Sequence, residues 1–333
     1  MSLTPDTGEQ SRDPGEAAVR RASAAFRDLT STGWSLPLPG SGATLQRWCA
    51  LTALGEQDLP LARLAEGHTD ALAVLAEVGG PAVPAGARLG VWAAEPPEGR
   101  VTATATPAGW RLSGRKRWCS GAGVLTAALV TAAAEDGRRL FLVGLGAAGV
   151  RVDRSPWVNA GMAGSDTADV DLTDVPAVPV GGPRAYLDRP GFWHGGIGVA
   201  AVWAGGARAV AAALTRAAVE RGPDPLRDAA VGRLDVVLAG VDAALRVAAA
   251  EVDADPADHA GTAQLRAQRV RALAADAGEQ VLGVVGRTLG AGPLAHDAAH
   301  AARVADLTVY LRQHHGERDL AALGALVRER AAR

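Results

Sequence analysis

The 333-residue chain is predicted to be an α+β protein, with an N-terminal helical domain, a central antiparallel β-barrel or sandwich domain and a C-terminal antiparallel helix bundle. Three observations predict this. Leucines recur at three- and four-residue spacings through Leu51, Leu54, Leu61, Leu64, Leu72 and Leu75. From 89 to 180 the pattern changes to short alternating segments punctuated by Pro, Gly and Asp-Gly. Beyond Gly191, long segments rich in Ala, Leu, Val and Arg return, without repeating βαβ units.

The elements follow in order. Residues 1–16 are polar and Pro/Gly-bearing and read as a disordered tail, with no apolar run that could be a signal peptide. The N-terminal helical domain spans 17–88, broken by the loop Leu36–Gly42 and ended by Gly79–Pro84. The β domain spans 89–183, with strands over 101–106, 127–133, 139–145 and 168–173 besides a hairpin at Gly109. The bundle spans 184–333, with candidate helices 191–220, 226–252, 261–288, 296–314 and 317–330.

Composition narrows function. A net charge of −2 and the absence of any basic block argue against a nucleic-acid partner. The two cysteines, Cys49 and Cys119, cannot form a disulfide framework, and no metal-type spacing of ligands is present. The longest apolar stretch, 195–207, falls short of the roughly 20 residues a membrane span needs. A cytoplasmic protein without a membrane partner is expected. Lys116 is the sole lysine.

The segment Gly109–Ala122, GWRLSGRKRWCSGA, carries the most chemistry. It reads as a hairpin turning at Ser113-Gly114, with Lys116, Trp118 and Ser120 on one face and Arg115, Arg117 and Cys119 on the other. An aromatic face followed two residues later by a hydroxyl suits a planar cofactor, and equally suits an aromatic half-covering a sheet. Two other motifs are decoys. Gly144–Gly149 matches GxGxxG, but an extended Val150–Pro156 follows where a phosphate-binding helix is required. His314-His315 are adjacent and point about 100° apart on a helix, which does not suit joint metal ligation.

With the three-part order, four stretches make the chain resemble the acyl-CoA dehydrogenase family of flavoproteins. They are Gly109–Ala122, the segment from Gly161 to Pro176, Ala94-Glu-Pro96 and Leu289–Gly292. The resemblance implies FAD held between domains and between subunits of a homo-oligomer, and an acyl-CoA or similar small-molecule substrate. Carried over by residue, Trp118 lies against the isoalloxazine, Ser120 bonds near its N5, and the backbone at Ala93 and Ala94 meets the pyrimidine end. Arg221 matches a position that reaches a neighbouring subunit's FAD pyrophosphate, and Gly290 a cofactor-binding position in the turn before the last helices.

The chain also departs from the family. The serine and aspartate that follow the T-E-P turn are deleted at Ala94–Arg100, and R-x-x-F-G survives only as Arg221–Pro225. Counting from Asp306–Tyr310 places His314 where the family's catalytic glutamate stands; a register anchored on Arg303 places Arg312 there instead. A histidine can act as a base near neutral pH, and His314 equally reads as a packed helix residue. Three functions follow: an FAD-dependent oxidoreductase of an acyl thioester or related compound, passing electrons to a partner; a flavin monooxygenase on the same fold; or a non-catalytic relative pairing with an active paralogous subunit.

Overall fold

The computed structural model describes residues 14–95, 100–158 and 161–332. Helix α1 (Pro14–Ser31) begins inside the segment read as a tail, and α2 (Thr44–Gln57) and α3 (Leu59–Glu77) follow. Asp58 starts α3, its side chain accepting the Leu61 amide at 2.8 Å, with Pro60 in the first turn. The leucine spacing marks the buried faces: Leu51, Leu61, Leu64 and Leu75 are all buried. Helix α3 is buried almost all round, because it is wedged between the β domain and the helices.

Among the described residues the β domain has seven strands: β1 (Leu89–Trp92), β2 (Val101–Thr106), β3 (Gly109–Cys119), β4 (Ala127–Ala134), β5 (Gly137–Gly144), β6 (Val150–Asp153) and β7 (Ala168–Val180). Strands β4, β2, β3, β7 and β5 pair in that order, and β5 returns to β4, closing a barrel. β1 extends β4 and β6 extends β7. Not every pairing is antiparallel as expected, since β1 runs parallel to β4. The hairpin turn also lies elsewhere, at 107–108. Gly114 continues β3 with φ +126°, and a Cβ there would lie 2.1 Å from the Arg100 carbonyl oxygen, so glycine permits a close strand approach. After Gly144 the chain turns into β6, as the extended reading of that motif requires.

The remaining helices are α4 (Ala185–Asp188), α5 (Gly191–Arg221), α6 (Pro225–Ala254), α7 (Ala263–Leu289), α8 (Gly292–His296), α9 (Ala298–Tyr310) and α10 (Glu317–Ala331). Asp224 and Asp297 cap α6 and α9 through the amides of Arg227 and His300. The expected helix over 296–314 is split: α9 passes into a 3-10 turn, Leu311–Gln313, and His314 is extended. Helix α5 is longer than the apolar stretch suggested. By length and composition it could cross a membrane, but 83% of its apolar window is buried in the structure. It is the central helix of a core containing Trp48, Ile197, Trp203, Val281 and Tyr310. The barrel core, with Leu112, Phe141 and Val170, forms a second cluster.

Candidate functional site

Two left-handed backbone segments meet at the rim of the barrel. Trp118 has φ +63°, a strained conformation for a bulky residue, and Met162 and Asp166 have φ +59° and +45°. The segments brace each other: the Gly121 amide donates to the Ser165 carbonyl at 2.8 Å, and the Ala122 amide to that of Asp166. The buried Asp166 carboxylate accepts the Gly123 amide at 2.7 Å and a two-pronged bond from Arg154 at 2.7 and 3.0 Å.

This geometry corrects the alternation read for the strand. A bulge between Lys116 and Cys119 turns both side chains into the barrel and leaves Trp118, 56% exposed, on the outside. Lys116 Nζ donates to the carbonyl and hydroxyl oxygens of Thr131, and burial pulls its pKa down to about 8. Trp118 meets Trp157 edge-on, with ring centroids 5.4 Å apart.

The Ser120 hydroxyl belongs to a chain whose direction follows from donor arithmetic. Ser165 Oγ donates to the Met162 carbonyl at 2.7 Å. Having one proton, it must accept from Thr167 Oγ1 at 2.8 Å, and Thr167 must then accept from Ser120 Oγ at 3.1 Å. Ser120 therefore spends its proton inward and turns lone pairs outward. Ala93, half-buried, and Ala94, exposed, leave β1 nearby, and Trp92 Nε1 donates to the Ser120 carbonyl at 3.0 Å. Glu95 pairs with Arg138; Pro96–Gly99, the site of the shortened loop, lie outside the described residues.

A second polar region was not foreseen. Arg63, Leu64 and Gly67 of α3 line a small gap with Val91, Trp92 and Ser120. Behind Arg63, the helical interior holds Arg47, Glu66, Asp70, Arg271 and Tyr310, linked through Glu66, with Asp319 beside Arg271. Arg63 Nη1 donates to Glu66 at 2.5 Å. Arg271 lies over the Trp203 ring, 4.8 Å from its centroid, and donates to the carbonyls of Gly196 and Gln313. Burial pushes the Glu66 carboxyl and Tyr310 phenol up and pulls Arg47 and Arg271 down. Asp70 Oδ1 and Trp203 Nε1 are buried with no hydrogen-bond partner among the described residues, whereas the Tyr310 phenol lies against Arg63. The available signal was a polar stripe on α3, Arg63, Glu66 and Asp70, on a helix the leucines make a core element.

The other predicted residues divide between two ends of the bundle. His314 adjoins the network: burial lowers its pKa, with Arg271 and Asp319 as its charged neighbours, and its Nε2 is 3.9 Å from Asp319. Arg221 and Gly290 are exposed at the C-terminal ends of α5 and α7. With 1.5 Å of rise per residue, Arg221 lies about 37 Å along α5 from Gly196, so this chain does not bring it to the network. A cavity of about 1430 Å³ is lined by Trp157, Asp166, Thr167, Arg303 and Asp306 among others. Asp306 there accepts the Met162 amide at 2.5 Å, and burial pushes its pKa up to about 6.

Residues 94–175 match the family model of the acyl-CoA dehydrogenase middle domain. No curated protein sequence matches the chain. Among solved structures, the dibenzothiophene monooxygenase TdsC from Paenibacillus sp. A11-2 is similar at TM-score 0.72 and 18% identity, over 93% of this chain and 96% of that one. Nitrososynthase from Micromonospora carbonacea var. africana is similar at 0.70 and 21%, over 96% and 98%. Glutaryl-CoA dehydrogenase from Mycobacterium smegmatis is similar at 0.75 and 17%, over 94% and 88%. The chain thus has the acyl-CoA dehydrogenase fold, and its residues 94–175 are similar to the middle domain of that family.

Proposed function

We propose that the protein is a flavin-dependent oxidoreductase whose cofactor ring lies against Trp118 and Ser120. The carrying observation is Trp118 itself, an indole held half-exposed in a strained left-handed conformation and braced by the 162–167 segment. Strain of this kind persists where the surroundings over-determine it, and a stacking face for a planar ligand gives it a use. The residues fit the ring end of a flavin: an aromatic face, a hydroxyl and the β1 backbone at Ala93 and Ala94. The bound flavin supplies two-electron chemistry. Trp118 orients the ring and Ser120 contacts its edge. FMN is bound in structures of TdsC and of KijD3, a further protein of similar fold, so both FMN and FAD belong in the test. Adding each in turn to purified protein should give visible flavin bands and quench Trp118 fluorescence; if neither binds, the proposal fails.

The hydroxyl chain favours oxygenation over acyl-thioester oxidation as the chemistry. Ser120 presents lone pairs, suited to a ring nitrogen that carries a proton, which is the reduced state of the flavin. No carboxylate stands at position 314, where the resemblance calls for a base. On this reading, externally reduced flavin binds more tightly than oxidised flavin, and Ser165→Ala, which frees the Thr167 proton, narrows that ratio. Reduction of bound flavin by an acyl-CoA under anaerobic conditions would restore the dehydrogenase reading. A second copy of the chain completes the site: Arg221 and Gly290 lie too far along the bundle to serve their own ring, and α6 exposes Leu226, Val236 and Val247. Light scattering should find an oligomer; a monomer that still binds flavin would remove this clause.

A further inference from the structure

Resting on the flavin reading, we infer that Asp306 of α9 is a positioning residue for the flavin edge, acting through Met162 on the direction of the Ser120 hydroxyl. The hydroxyl chain that turns the Ser120 lone pairs outward starts at the Met162 carbonyl. That carbonyl accepts both the amide and the hydroxyl of Ser165, at 3.0 and 2.7 Å. It is aimed by a left-handed backbone, φ +59° at Met162, a conformation that residues with a Cβ rarely adopt. Burial of the Met162 side chain in the helical core seats the residue but does not choose its backbone conformation. The Met162 amide makes that choice. It donates to Asp306 Oδ1 at 2.5 Å, a charge-assisted bond from another element of the fold.

The surroundings make this tie stiff. Gly161 meets the α9 backbone so closely that a Cβ there would lie 2.2 Å from the Ala305 carbonyl oxygen. Gly164 is wedged between α1 and α3, where a Cβ would lie 2.9 Å from Pro60 and 3.2 Å from the Ala18 carbonyl oxygen. The segment is thus held in register with α9, and the Gly121, Ala122 and Gly123 amides that bond to Ser165 and Asp166 are held with it. The fold itself gains little from this carboxylate. Asp306 borders the cavity of about 1430 Å³, so truncating it leaves no new closed void. Burial raises its pKa to about 6, so its charge at pH 7 costs stability and does not add it.

The test combines amide hydrogen exchange on the flavin-free protein with titrations of oxidised and reduced FMN and FAD, all at pH 7. Asp306→Ala should speed exchange of the Gly121, Ala122 and Gly123 amides about tenfold and leave the β4 amides of the barrel unchanged. It should also narrow the preference for reduced over oxidised flavin about fivefold or more. Asp306→Asn, which keeps an acceptor for the Met162 amide, should restore both and keep or raise the melting temperature. Asp306→Ala combined with Ser165→Ala should match Ser165→Ala alone in flavin preference, because both act through one chain. Additive effects would put Asp306 on a separate route and overturn the inference. So would faster exchange throughout the barrel, the mark of a carboxylate that only holds the fold, or unchanged exchange at 121–123. Flavin binding with the wild-type preference in Asp306→Ala overturns this inference alone. Wild-type protein that takes no flavin overturns the flavin reading, while local exchange at 121–123 keeps the tie between α9 and the barrel rim.

Discussion

The barrel and the helical interior both bury charge, and they do it differently. Inside the barrel a single cation, Lys116, is held by one threonine that supplies both a carbonyl and a hydroxyl acceptor. Among the helices, six ionisable groups from α2, α3, α7 and α9 crowd together and leave polar atoms unpaired. A satisfied buried charge is what structure alone requires. A crowded network of buried charges carries a larger desolvation cost than a single satisfied one.

The largest break in this comparison comes from α3. Glu66→Ala leaves Arg63 buried without its partner and should lower stability by about 3–5 kcal/mol in urea unfolding. The double variant Arg63→Met/Glu66→Leu removes both charges and should recover most of that loss. A double variant as unstable as the single one would mean that the network supports the fold as Lys116 does.

The barrel lysine has a pH signature. Its folded pKa of about 8 lies below the roughly 10.4 of an unfolded lysine, so the unfolded chain binds more protons between these values. Stability therefore rises with pH from about 8 to about 10.4, by up to roughly 3 kcal/mol. Lys116→Met should flatten that limb of the curve; an unchanged limb assigns it to another group. Asp306 gives the opposite slope. Its folded pKa of about 6 exceeds the roughly 3.9 of the unfolded state, so stability falls as pH rises from about 4 to about 6. The drop should be less than about 3 kcal/mol, because the side chain is partly solvated. Asp306→Asn should remove it in a pH series of melting curves.

The smallest stability change separates ligand binding from folding at the barrel rim. Trp118→Gly relieves the left-handed backbone and should stabilise the protein by about 1 kcal/mol, while weakening flavin binding about tenfold or more. If it loses stability instead, Trp118 serves the fold through Trp157.

Element order was legible because periodicity is local: the leucines of α2 and α3 and the alternation of β2 each act within a few residues. The barrel's closure was half legible, since alternation marks strands but does not say which neighbour each one pairs with. That is why the parallel β1–β4 pair went unforeseen. At β3, strict alternation put Lys116 and Trp118 together, and the bulge reversed them. The 162–167 segment, about forty residues further along the chain, decides that bulge by docking on Gly121–Gly123.

By itself the sequence determined the helical–β–helical order and singled out Trp118 and Ser120, because both rest on short-range pattern and residue type. Only the tertiary structure decided which way the Ser120 hydroxyl points, since that direction is set by Thr167, Ser165 and the Met162 carbonyl. Only the tertiary structure assembled the network of Arg63, Glu66, Asp70, Arg271 and Tyr310. Each of these reads alone as an ordinary polar position on a helix. Burial, which is a property of the packed helices together, turns them into a charged interior.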